Sequence, residues 1–169
     1  WDGDRGIDVA PEPDGVEKNP SYETISFEAV GDVDNAEKQN LAIVRYQQIV
    51  KRKSNDEVFH DQTGYWLWDA ATGTVMQSVS IPRAVTLLAG GDATTTNKSI
   101  TLKVQAKLGD PDWGIVQSPF MRDNASTESF EHELTVGGDE MAYTETTLID
   151  IYDKPQFKHT DRNKLLRRR

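Results

Sequence analysis

The chain of 169 residues holds only three histidines, and two of them stand far apart in a strand-patterned sequence. His60 lies in Phe59-His60-Asp61-Gln62-Thr63-Gly64-Tyr65-Trp66-Leu67-Trp68-Asp69, and His159 in Phe157-Lys158-His159-Thr160-Asp161. An imidazole can move a proton near neutral pH, bind a metal ion, or hold a haem iron. If the chain closes into a barrel, residues about a hundred positions apart can face each other across its interior.

In an extended strand His159 and Asp161 share a face, and a carboxylate on the second imidazole nitrogen is the usual device for fixing a metal-bound histidine. Pairing of Asp161 with Arg162 or Lys158 in water explains the pattern equally well. For His60 the residues alone favour a hydrogen-bonded wall position, because Val58, His60 and Gln62 would share one face and alternation does not say which face is inward. His132 shares parity with Phe130, Leu134 and Val136 and reads as a satisfied wall histidine. Tyr65, Trp66 and Trp68 could stack on a flat ligand, but packing in the wall is the first reading. Trp1 reads as a plug for the barrel base.

The elements that must position these groups are strands. Apolar residues alternate at Ile25-Phe27-Ala29, Val44-Tyr46-Val50, Val75-Gln77-Val79-Ile81, Val85-Leu87-Ala89, Ile100-Leu102-Val104-Ala106, Phe130-His132-Leu134-Val136 and Met141-Tyr143-Glu145-Thr147-Ile149-Ile151. Turn-forming clusters stand at Thr72-Gly73, Gly90-Gly91-Asp92, Gly109-Asp110-Pro111 and Gly137-Gly138-Asp139. Eight to ten antiparallel strands are expected, and a meander of that many removes its exposed edges by closing. The expected fold is an all-β, single antiparallel up-and-down β-barrel of about ten strands, of the calycin or lipocalin kind. One domain over 1–169 is expected, with an irregular segment at 8–20, where Pro11, Pro13, Gly15 and Pro20 fall, and a basic C-terminal tail at 162–169. Residues 31–40 read as a long loop, with a helical turn over Glu37–Ala42.

Composition narrows the chemistry. At 36% hydrophobic and 28% charged residues, apolar side chains must be gathered on one face of each element, as in a single-layer wall. Without cysteine there is no disulfide, thiolate-ligated haem, iron–sulfur cluster or thiol nucleophile. Residues 154–169 carry net +6 and residues 1–153 net −15, and so acidic a body does not bind nucleic acid electrostatically. The Arg167-Arg168-Arg169 end reads as solvated. No apolar run reaches the roughly 18 residues of a membrane span and no leader precedes Trp1, so a soluble protein is expected, with the cytoplasm as default. A phosphate loop is unsupported because Gly90-Gly91-Asp92 lacks the following Lys-Ser/Thr. The histidines have no metalloprotease spacing, and no Gly-x-Ser-x-Gly elbow marks a serine nucleophile.

The sequence resembles the nitrobindin-like haem-binding β-barrels, relatives of the fatty-acid-binding proteins within the calycins. Trp1-Asp2-Gly3-Asp4-Arg5-Gly6 is similar to the end of that family's Gly-x-Trp-x-Gly-x-Gly opening, with one extra residue before the last glycine. Tyr22-Glu23-Thr24-Ile25-Ser26-Phe27 is similar to its first strand, and His60-Asp61-Gln62-Thr63-Gly64-Tyr65 to its His-x-Glu-x-Gly-Tyr stretch. Phe157-Lys158-His159 falls where the family carries its proximal iron ligand. The resemblance implies a ten-stranded barrel with ferric haem b at one open end, His159 as proximal ligand on the haem iron and His60 distal. It implies nitric oxide binding and, for some members, a peroxynitrite isomerase activity. The family's threonine near the haem has no counterpart, since only the Asp14-Gly15 region aligns there. Tyr65-Trp66-Leu67-Trp68 and Ile81-Pro82-Arg83 are heavier than the family pattern, which points to a narrower pocket or another ligand.

A second reading is a carrier of a small apolar ligand without haem, in the fatty-acid-binding style, with Arg45 or Arg83 receiving a carboxylate. A third is a barrel that serves a protein partner through its acidic surface or basic tail. The oligomeric state is open, a homodimer included.

Overall fold

In the computed structural model, residues 1–168 are described. Eleven strands follow one another: β1 (Asp2–Glu12), β2 (Gly15–Asn35), β3 (Gln39–Arg52), β4 (Val58–Asp69), β5 (Thr74–Ile81), β6 (Val85–Thr95), β7 (Ile100–Lys107), β8 (Ile115–Gln117), β9 (Ala125–Gly137), β10 (Glu140–Ile151) and β11 (Lys154–Leu166). One short helix, α1 (Pro119–Asn124), separates β8 from β9 and is capped by Ser118, whose hydroxyl accepts from the Met121 amide. Every named strand pairing is antiparallel; β1 meets β11 and β5 meets β6, so ten strands close into a barrel. The eleventh, β8, attaches to the start of β6 at Val85–Leu87, while Gly90–Thr95 of β6 pair with β7.

Four sequence expectations require correction. The segment 8–20 is not irregular: it is most of a hairpin between β1 and β2, in which Ile7 pairs Pro20 and Pro11 pairs Val16. The prolines are tolerated because each lies where a second ladder is missing. Pro11 is beyond the last β1–β11 pair, Val9 with Thr160, and Pro20 just precedes the first β2–β3 pair, Ser21 with Arg52. Residues 31–40 are not a long loop and Glu37–Ala42 not a helical turn. β2 runs to Asn35 and β3 begins at Gln39, with Ala36 and Glu37 at φ of 55° and 58° making a tight turn.

The Gly90-Gly91-Asp92 cluster is the middle of β6 rather than a turn. Its glycines permit close packing: a Cβ on Gly90 would lie 2.2 Å from the Trp113 ring, and one on Gly91 2.0 Å from the Lys103 carbonyl. Finally, 162–166 is not tail but the end of β11, with Asn163 and Leu165 buried inside the barrel. Arg167 stacks its guanidinium over Trp1, 5.1 Å from the ring centroid, and Arg169 lies outside the described residues.

The apolar core includes Ile25, Trp66, Val75, Leu87, Val104, Phe130, Leu134, Met141 and Leu165, drawn from eight strands. The inward positions are not uniformly apolar. On β2 the buried positions alternate as Asn19, Ser21, Glu23 and Ile25, and Gln48, Gln62, Gln77, His132 and Asn163 are buried from five other strands.

Candidate functional site

A cavity of about 270 Å³ opens at the barrel end that carries the turns 13–14, 53–57, 82–84 and 152–153. His60 from β4 and His159 from β11 both line it, though they are far apart in the sequence. An aliphatic and aromatic wall that includes Val50, Phe59, Val79, Ile81, Leu87 and Ile149 surrounds them, and Arg52 and Arg83 stand towards the rim. Neither Arg45 nor the aromatic cluster contributes. Arg45 projects outward and pairs with Glu28, Trp66 packs in the core beside His132, and Tyr65 and Trp68 face solvent.

Asp8 and Asp161 are directly opposed residues of the β1–β11 ladder, and His159 lies two residues from Asp161 on the same face. His159 Nε2 meets Asp8 Oδ1 at 2.6 Å and Asp161 Oδ2 at 3.6 Å. The carboxylate expected on the second ring nitrogen is therefore on Nε2 itself, and the closer one is Asp8, which sequence alternation could have supplied had residues 8–20 been read as a strand. The other Asp8 oxygen accepts from Asn19 Nδ2 at 2.9 Å, and Asn19 Oδ1 accepts from Arg52 Nε at 3.2 Å.

The electrostatics follow from burial and pairing. Burial works to raise the Asp8 carboxyl, but its hydrogen bond and ion pair with His159 outweigh this and hold it low. Burial works to lower the His159 imidazole, yet Asp8 and Asp161 raise it on balance. Asp161 is pushed well above the usual carboxylate range by burial and by the charges of Asp8 and Glu145, with His159 opposing.

A second network forms the cavity floor. His60 Nε2 meets Gln62 Oε1 at 3.1 Å, Gln62 Nε2 and Gln77 Nε2 both donate to the Tyr46 hydroxyl at 2.9 and 3.0 Å, and Gln77 Oε1 meets His132 Nδ1 at 2.9 Å. Because each amide nitrogen is committed to Tyr46, each amide oxygen must accept, which puts the proton on His60 Nε2 and on His132 Nδ1. The wall reading of His132 is half right: it is buried and bonded on one side, but its Nε2 is enclosed without a partner among the described residues, and burial drives its pKa down to about 3. Glu23 accepts from Gln48, Tyr143 and Asn163 and is raised to about 7 by burial. Glu145 lines the cavity with its side chain 11% exposed, receives no hydrogen bond among the described residues, and is raised to about 8 by burial and by Glu23.

An antiparallel ten-stranded barrel with a histidine-lined cavity at one end defines a small-ligand-binding barrel of the calycin kind. Over residues 1–167 the sequence matches the family model of the THAP4-like, heme-binding beta-barrel domain, and the chain belongs to that family. Among solved structures it is similar to Rv2717c from M. tuberculosis, with a TM-score of 0.70 and 18% identity over 96% of this chain and 89% of that one; the likeness is one of fold. No curated protein matches it in sequence.

The residues present can be tested against a haem. Two imidazoles, an apolar wall and two guanidiniums suited to propionate carboxylates match such a group in chemistry, while the cavity of about 270 Å³ must widen to admit it. One atom bears on such a fit: Nε2 of His159 is already held by Asp8.

Proposed function

We propose that the cavity binds ferric haem b, with His159 Nε2 as the protein ligand and His60 on the opposite side without a bond to iron. What carries the reading is that the two histidines, remote in sequence, line one apolar cavity in a chain of a heme-binding family. Bound there, haem would supply an open iron position for nitric oxide or for peroxynitrite isomerisation.

The protein's part is positioning. Asp8 must release Nε2 before His159 can coordinate, and the Asn19–Arg52 chain gives Asp8 a place to remain. His60 keeps its Nε2 proton on Gln62 and is held neutral, chiefly by burial, so Nδ1 is left as an acceptor. It would orient a protonated oxyanion rather than donate to one. Arg52 and Arg83 would receive the carboxylates.

Haemin titration tests the reading. The parent should develop a Soret band with one haemin per chain; His159→Ala should abolish tight binding, and His60→Ala should keep haem while changing the affinity or rate for nitric oxide or peroxynitrite. Identical titrations of all three proteins, or none by the parent, would remove the assignment. Co-purified fatty acid in a parent that ignores haemin would favour a carrier with Arg83 as its carboxylate receptor.

A further inference from the structure

We propose that Asp8, His159 and Asp161 form a binding site for a single divalent transition-metal ion inside the cavity, in competition with haem for His159. The site shares His159 with the haem reading but does not rest on it.

The first observation is geometric. The donor atoms of the three side chains lie within 4.8 Å of one another, and all three come from the paired strands β1 and β11. Two directly opposed ladder residues and a third two positions along make a set whose spacing is fixed by backbone hydrogen bonds rather than by a loop. Ligand atoms about a tetrahedral ion at roughly 2.0–2.2 Å stand about 3.3–3.6 Å apart. The His159–Asp161 separation of 3.6 Å is already close to that, and the His159–Asp8 contact of 2.6 Å needs to open by less than an ångström.

The second observation is a crowding of acidic groups in the cavity. Two carboxyl groups stand about a single imidazole nitrogen, 2.6 and 3.6 Å from His159 Nε2, and only the nearer is hydrogen-bonded to it. Glu145, nearly nine-tenths buried, lines the same cavity and receives no hydrogen bond among the described residues, with His132 Nδ1 standing off at 3.9 Å. Carboxylates forced together must hold a proton or a cation between them. Asp8 also has outer support: Asn19, itself held by Arg52, fixes its second oxygen, which is how ligating carboxylates are usually oriented.

The donor set of one imidazole nitrogen and two carboxylate oxygens suits ions of intermediate hardness such as Zn²⁺, Co²⁺, Fe²⁺ or Mn²⁺, and leaves positions open towards the cavity for water or a small anion. His60 shares that cavity.

The test uses the full chain, stripped with chelator and titrated with Co²⁺ followed by its visible absorption and by calorimetry, and separately with haemin. One Co²⁺ per chain is expected, with a tetrahedral-type spectrum. Asp161→Asn should weaken it at least about tenfold, the smallest loss typical even of outer partners. Asp8→Asn should move the two affinities in opposite directions, weakening Co²⁺ and strengthening haemin, a signature that simple structural damage does not produce. Circular dichroism melts check that each variant folds; should one fail, Zn²⁺ loading of the parent must still weaken haemin binding. Haemin binding without Co²⁺ binding, or Co²⁺ binding indifferent to both substitutions, overturns the metal site and leaves the haem reading standing. Co²⁺ binding that depends on both aspartates, in a parent that ignores haemin, supports the metal site and removes the haem reading.

Discussion

The barrel interior is a place where ordinary side chains meet extraordinary solvation. Glu23 and Glu145, raised to about 7 and 8 from an ordinary value of 4.5, bind protons more tightly folded than unfolded. Their contribution to stability is therefore complete below about pH 4.5 and is lost as pH climbs towards 7 and 8. His159, raised on balance by Asp8 and Asp161 against its burial, acts in the same direction. His132 works oppositely: depressed to about 3, it contributes fully above its ordinary 6.5 and loses that contribution as pH falls. Between pH 4.5 and 6.5 the two effects compete, whereas from 6.5 to 8 only the raised groups act. The melting temperature should fall over that upper interval, and Glu145→Gln, which keeps a neutral group of the same shape, should flatten part of the decline. A slope unchanged in the variant would mean that Glu145 reaches water. The sequence disclosed His60 and His159 because histidines are scarce, but among 28 acidic residues it could not mark Asp8, Glu23 and Glu145 as the enclosed ones.

Strands were legible wherever an inward face is mostly apolar, as in Val75-Gln77-Val79 or Val85-Leu87-Ala89, all buried as alternation required. They were hidden where inward residues are polar. Asn19, Ser21 and Glu23 carry the same period-two signal as Ile25, but it is written in residues that usually mark surface, and prolines nearby argued for a loop. Gly64 shows how one position serves two elements. An added Cβ would sit 1.9 Å from the Ser78 carbonyl and 3.1 Å from the Tyr46 ring, so β4 and β5 approach too closely there for any side chain. Gly64→Val should lower stability by at least about 1–3 kcal/mol, the usual cost of overpacking. Gly15→Ala, with nothing within 4 Å of the new methyl, should stay within about 0.5 kcal/mol. Thermal melts of the pair suffice, and equal shifts would show that β5 yields.

For the molecule as a whole, the last strand is what makes a sheet into a barrel. β11 joins β10 to β1, carries His159, and seals the far end with Leu165, which is 1% exposed. Leu165→Ala should cost about 2–5 kcal/mol, as large-to-small core changes do, and weaken every ligand of the distant cavity by loosening closure; chemical denaturation of the variant gives the first number and haemin titration the second. The closed form also sets the two chain ends side by side. Asp2 pairs Leu166, and Arg168 Nε stands 3.8 Å from an Asp2 carboxylate oxygen. A tension applied through those ends would load the β1–β11 ladder one rung at a time, like a zip, instead of shearing its rungs together. The barrel should therefore yield at low force when pulled by its termini, and resist far more when gripped across β3 and β9.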